Sequence, residues 1–86
     1  MPLRFDEDAF LPGIPEEDLR RLMGKIEWLW ANRRVVNHSP LSGQLTGFFR
    51  RRLGKYRIIY TYDPNPDELV IRLVGPRDDI YKKAGG

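Results

Sequence analysis

Arg50, Arg51, Arg52, Lys55 and Arg57 fill five of the eight positions from 50 to 57 with no acid among them, and Arg77 and Tyr81 follow further along the chain. Guanidinium forks bind phosphate oxygens two at a time and stay charged at neutral pH, while a phenol can give or take a proton. Such a set suits gripping a polyphosphate and moving a proton beside it. The spacing is that of a tight β-hairpin rather than a basic tail, so like charges are crowded on a rigid element. An anionic partner would offset that repulsion.

The chain has 86 residues and a formal net charge of +3, with no cysteine and one histidine. This length predicts one small domain over 1–86, held by packing alone. Without Cys, and with only His38, the usual thiolate and imidazole metal sites cannot be built, so no metal or other cofactor is expected. No apolar run approaches the roughly 20 residues of a membrane span, and Asp6-Glu7-Asp8 is the opposite of a basic signal-peptide start, which predicts a cytoplasmic protein without a membrane partner. Residues 1–44 hold six Lys/Arg against seven Asp/Glu, and residues 45–86 hold nine against five. The basic surface therefore belongs to the C-terminal half, a pattern that fits nucleic acid.

The elements that must position these residues can be read from periodicity. Leu3-Arg4-Phe5 is a candidate short edge strand, and Pro12-Gly13-Ile14-Pro15 interrupts any regular element. Pro15, the acids Glu16, Glu17 and Asp18, and Arg33 and Arg34 at the other end mark a helix over about 15–33. Leu19, Leu22, Met23, Ile26, Leu29 and Trp30 form its core-facing stripe; Trp28 lies off it, either a partly covered surface aromatic or a contact for a partner protein. Gly24 weakens the helix and leaves room for another backbone to approach. Residues 35–46 read as a connecting loop, with His38 a surface residue on it.

From residue 47 the pattern becomes that of strands: 47–53 and 56–63 about a Gly54-Lys55 turn of the type II′ kind, a second turn over 63–67, and a last strand over 69–74. Arg50 and Arg52 share one face and Arg51 takes the other, with Arg57 returning to the neighbourhood of Arg52. Tyr56, Ile58, Tyr60 and Tyr62, with Leu69, Ile71 and Leu73, are expected to pack under the helix stripe as one helix layer on one sheet layer.

Leu45-x-Gly47, the basic strand, Gly54-x-Tyr56-Arg57-Ile58-Ile59-Tyr60, the acidic turn, the apolar strand and Gly75-x-Arg77-x-x-x-Tyr81 follow one another in an order that resembles the RelE/ParE superfamily of type II toxin–antitoxin toxins. The match covers about residues 41–82. It implies an α+β fold, a curved antiparallel sheet with an N-terminal helix or helices packed on one face. RelE-like members cut messenger RNA in the ribosomal A site with basic residues and a tyrosine; ParE-like members poison DNA gyrase and lack that set. Here the strand cations of the RelE type fall on Arg50 and Arg52, the arginine after the hairpin tyrosine is Arg57, the one at the last-strand exit is Arg77, and the C-terminal tyrosine is Tyr81.

The RelE prototype carries Lys at both strand positions. Arginine is a poor proton acceptor, so the resemblance points to Arg50, Arg52 and Lys55 as RNA-binding, Arg57 and Arg77 as clamps on the transition-state phosphate, and Tyr81 as candidate general base. Tyr81 can also be read as an aromatic that closes the core edge, and the arginines as a solvated face that contacts an acidic antitoxin segment. Asp78 and Asp79 are read as orienting Arg77 or starting a short C-terminal turn. The implied function is a metal-independent endoribonuclease that inhibits translation, with a cognate antitoxin, the ribosome and mRNA, and operator DNA through the antitoxin complex as partners. A gyrase inhibitor without nuclease activity, and a non-catalytic RNA- or antitoxin-binding module, stand as alternatives.

Overall fold

Helix α1, Glu16–Ala31, begins where three acids can meet the positive end of its dipole and where Leu19 N–H closes the first turn onto the Pro15 carbonyl. It ends at Asn32, whose backbone N–H and side-chain amide both donate to the Trp28 carbonyl, and Arg33 donates to the Trp30 carbonyl. These bonds satisfy carbonyls that a helix end would otherwise leave unpaired. In this computed structural model, which describes residues 2–85, the other elements are β1 (Leu3–Phe5), β2 (Ser39–Pro40), a 3₁₀ turn (Gly43–Leu45), β3 (Phe49–Leu53), β4 (Tyr56–Asp63), β5 (Glu68–Pro76) and α2 (Arg77–Gly85).

The strands form one sheet in the order β1-β5-β4-β3-β2. The β3–β4–β5 meander is antiparallel, as the pattern predicts, and β1 adds a parallel edge against β5 through Leu3↔Leu69, Arg4↔Val70 and Phe5↔Ile71. The N-terminal segment continues along that edge: Asp6 and Leu11 donate to the Ile71 and Val74 carbonyls, and Val74 donates to Ala9. The edge of β5 is thus covered and cannot recruit another chain. At the opposite edge β2 pairs only with Phe49 and Arg50. The stretch read as a loop over 35–46 therefore contains a two-residue strand and a 3₁₀ turn.

Leu22, Ile26 and Leu29 of α1 are fully buried against Tyr56, Ile58 and Tyr60 of β4 and Leu69, Ile71 and Val74 of β5. Each such aliphatic side chain contributes about 1.5–3 kcal/mol on burial. Three expectations are corrected here. Met23 is 37% exposed, because α1 touches the sheet along a narrower stripe than the full apolar set. Gly24 faces open space rather than another backbone. Val74, not Leu73, joins the core: a bulge shifts the register from Ile59↔Leu73 to Tyr60↔Ile71, so Arg72 has no partner across the ladder and the alternation slips by one residue.

The other face of the sheet carries Arg57, Ile59 and Leu73, and α2 crosses it with Ile80 fully buried. Asp78 and Asp79 stand in the first turn of α2, where carboxylates favour helix, and the short turn expected there is a nine-residue helix.

Candidate functional site

The β3–β4 hairpin sets the geometry of the basic residues. Gly54 has φ +57°, a left-handed conformation that costs glycine little, and it lets the chain reverse in two residues. The reversal brings Arg52 directly opposite Arg57 and Arg50 opposite Ile59, so Arg50, Arg52 and Arg57 share the face crossed by α2. Like charges directly opposite in a ladder are destabilising. The backbone N–H of Arg77 donates to the Lys55 carbonyl at 3.0 Å, which ties the first residue of α2 to the hairpin tip. Lys55, Arg57, Pro76, Arg77, Asp78 and Asp79 line an open cleft of ≈ 530 Å³. Four residues beyond Arg77, on the same side of α2, the Tyr81 oxygen lies 3.4 Å from Nη1 of Arg50.

Arg57 is the buried member of this group, 8% exposed. Its Nη1 donates to the Gly54 and Tyr56 carbonyls, and its Nε is buried without a partner. Burial lowers its pKa most, and the positive charges of Arg52, Arg77 and Arg50 lower it further, with Tyr81 acting in the opposite direction. The guanidinium still carries its charge at neutral pH. Among the described residues, Arg4, Arg20, Arg21, Arg33, Arg34 and Arg72 each lie within ion-pair distance of a carboxylate; Arg50, Arg51, Arg52, Arg57 and Arg77 do not. Five arginines without counter-ions, one of them buried, favour binding of an anion.

Gly75, which opens the Gly75-x-Arg77 motif, shapes this face. It sits opposite Arg57, and a Cβ there would come 2.6 Å from Cδ1 and 3.1 Å from Cβ of Leu11. The missing side chain lets the N-terminal segment pack over the strand beside the cleft. A lone glycine within an apolar strand is the sequence signal for such a close approach.

Trp28 is apart from this group, on α1. Its ring is 42% exposed, with Lys25 Nζ 4.0 Å and the Arg51 guanidinium carbon 5.6 Å from its centroid. His38 is not the surface residue expected. It is half-buried, its Nε2 donates to the Arg33 carbonyl at 2.8 Å, and its Nδ1 accepts from the Tyr60 hydroxyl. The Phe49, Tyr60 and Tyr62 rings surround it at 5.0–5.5 Å. Both ring nitrogens are engaged in fastening the chain after α1 to β4, so His38 is a structural residue outside the cationic face. Among the described residues no three His, Cys, Asp or Glu side chains converge as a metal site would require.

The chain matches no family model and no curated protein. A solved structure is similar: a chain in the crystal structure of the toxin–antitoxin complex RelBE2 from Mycobacterium tuberculosis aligns with a TM-score of 0.73 and 26% identity, over 87% of this chain and 88% of that one. The chain has a RelE-like fold. In that α+β arrangement α1 covers one face of the meander, and Arg50, Arg52 and Arg57 lie on the other, which α2 crosses.

Proposed function

We propose that this RelE-like chain is the toxin of a type II toxin–antitoxin system and a metal-independent endoribonuclease that cuts messenger RNA in the ribosomal A site, stopping translation until a cognate antitoxin covers its basic face. The observation that carries this reading is the gathering of Arg50, Arg52, Arg77 and Tyr81 about the buried Arg57, beside the cleft that Arg57 and Arg77 line, with no carboxylate within ion-pair distance of these arginines among the described residues.

The reaction is attack by the RNA's own 2′-oxygen on the adjacent phosphorus. Tyr81, acting as phenolate, takes the 2′-hydroxyl proton and becomes the phenol, the new O–P bond gives a pentacovalent phosphorane with added negative charge, and the P–O bond to the 5′-oxygen breaks. A 2′,3′-cyclic phosphate remains on one product, and the 5′-oxygen of the other takes a proton from water in the open cleft. Arg57 and Arg77 hold the non-bridging oxygens and act where charge increases. Arg57 is suited to this because its charge is already desolvated and crowded, so charge gained by the phosphate is felt strongly. Arg50, Arg52 and Lys55 hold the flanking backbone, and the hydrogen bond from Arg50 orients the phenol.

The test is to incubate the purified chain with a message on stalled ribosomes and with the same message free. Cuts in the ribosome-bound message that vanish when the scissile nucleotide is 2′-deoxy are the expected result. Arg77→Ala and Arg57→Ala are expected to slow cutting by about a hundredfold or more, the usual cost of one transition-state donor. An intact message under conditions where the chain arrests growth and induces DNA-damage signalling would contradict the nuclease reading and place gyrase first.

A further inference from the structure

The unpaired cations do not stop at the cleft. β3 is an edge strand beyond Arg50, and its alternation sends Arg51 to the α1 side of the sheet while Arg50 and Arg52 point to the α2 side. Arg51 has no carboxylate partner among the described residues; it donates to the Asn37 carbonyl at 3.2 Å, and its Nε is buried without a partner. Lys25 of α1 comes up beside it. Lys25, Asn37, Ser39, Arg50, Arg51 and Arg52 line a polar hollow of ≈ 320 Å³ with no acidic residue in its wall. Trp28 borders it, with Lys25 and Arg51 against its ring. Arg50 belongs to both places, since it also reaches Tyr81.

We infer that this hollow is a second RNA-contact site, in which a nucleotide flanking the cleavage site stacks its base on Trp28 while Lys25 and Arg51 hold its phosphate. The inference rests on the nuclease reading and adds a track around the β3 edge, from the cleft through Arg50 to α1. An indole bordered by two cations is the combination that single-stranded nucleic acid uses, a flat apolar face for the base and charge for the backbone. The base displaces the Lys25 ammonium from the ring, and the ammonium moves to the phosphate, so the cation keeps a partner throughout. Charge favours RNA over an apolar partner segment here, because the hollow is lined by four cations and two polar residues, with no apolar residue in its wall.

The experiment uses the full chain with Trp30→Phe, which leaves Trp28 as the single tryptophan. Its emission is followed on titration with a 2′-O-methyl RNA dodecamer, which binds but lacks the free 2′-hydroxyl needed for cutting, and separately with a poly-glutamate dodecamer at the same salt concentration. The site requires quenching by the RNA and not by the peptide. In fluorescence-anisotropy titrations of the same RNA, Trp28→Ala should weaken binding about tenfold, the loss of one stacked base. Lys25→Gln and Arg51→Gln should each reduce the slope of log K against log salt by about one. Unchanged Trp28 emission on RNA addition, or equal quenching by poly-glutamate, overturns the inference and in the second case makes this a surface for an acidic protein. Quenching and cutting are separate readouts: a chain that cuts without quenching sinks only this site, and one that quenches without cutting sinks only the nuclease reading.

Discussion

The two ends of β4 hold arginines in opposite ways. At the far end Arg33 forks onto Asp67, with Nε–Oδ1 and Nη2–Oδ2 both 2.8 Å; Arg34 joins at 3.0 Å, Tyr62 donates at 2.9 Å, and the Arg33 guanidinium lies 3.6 Å from the centre of the Trp30 ring. The Arg33 hydrogen bond, more than any other neighbour, holds the Asp67 carboxyl well below the usual carboxylate range, and the same contact raises the Arg33 pKa. At the near end Arg57 is buried beside Arg52, Arg77 and Arg50, and its charge is disfavoured. One corner uses arginine to fasten α1 and its following loop to the sheet, and the other keeps arginine unpaired where a phosphate can supply the missing charge. An unpaired cluster of this kind is costly to the fold alone, which is why we propose it as the functional end.

If that contrast is right, the near end should trade stability for activity and the far end should not. The largest effect is expected at Arg57→Met, which should lower cutting by about a hundredfold or more. Its urea midpoint should nevertheless not fall, because the change removes a buried charge among like charges. Arg77→Ala should show a comparable loss of cutting with stability within about 0.5 kcal/mol of the parent, since Arg77 is exposed. A clear fall in either variant's urea midpoint would break the contrast.

Asp67→Asn should do the reverse: a lower thermal midpoint with cutting unchanged, checked by melting curves beside the cleavage assay. The pH dependence sharpens it. Asp67 has a depressed pKa when folded, so its contribution is complete above the ordinary carboxylate value of about 4 and is lost as pH falls toward the lower folded value. The parent's melting temperature should drop through that acid window, and Asp67→Asn should drop less steeply over the same range. The smallest effect is at Gly24→Ala, an exposed position on α1. A Cβ there meets nothing within 4 Å, so the helix should gain about 0.5–1 kcal/mol with no change in cutting.

The near end was largely legible in the sequence because its order is local. A Gly-X turn fixes the register of two strands, and strict alternation then places Arg50, Arg52 and Arg57 on one face without further information. The far end was not, because its partners are joined only by the tertiary fold: Arg33 and Asp67 are 34 residues apart, and His38 reaches Tyr60 across 22. Leu73 departs from the expected alternation for a different reason. A bulge at Arg72 breaks the period of two, and nothing in the run of residues 69–74 announces it. The acid-first, lysine-last pattern of α2 is too brief to indicate more than a turn, and burial of Ile80 anchors the helix to the sheet.

The central claim is that the unpaired arginines form an RNA-cutting site. It is tested most directly by pulsed expression of the parent and of Arg77→Ala in a bacterial host, with primer-extension mapping of a message that has its start codon and of the same message without it. The account predicts cuts in the translated message alone, present with the parent and absent with Arg77→Ala at equal protein level. Growth arrest by the parent with both messages intact, or the same cuts with Arg77→Ala, would contradict it.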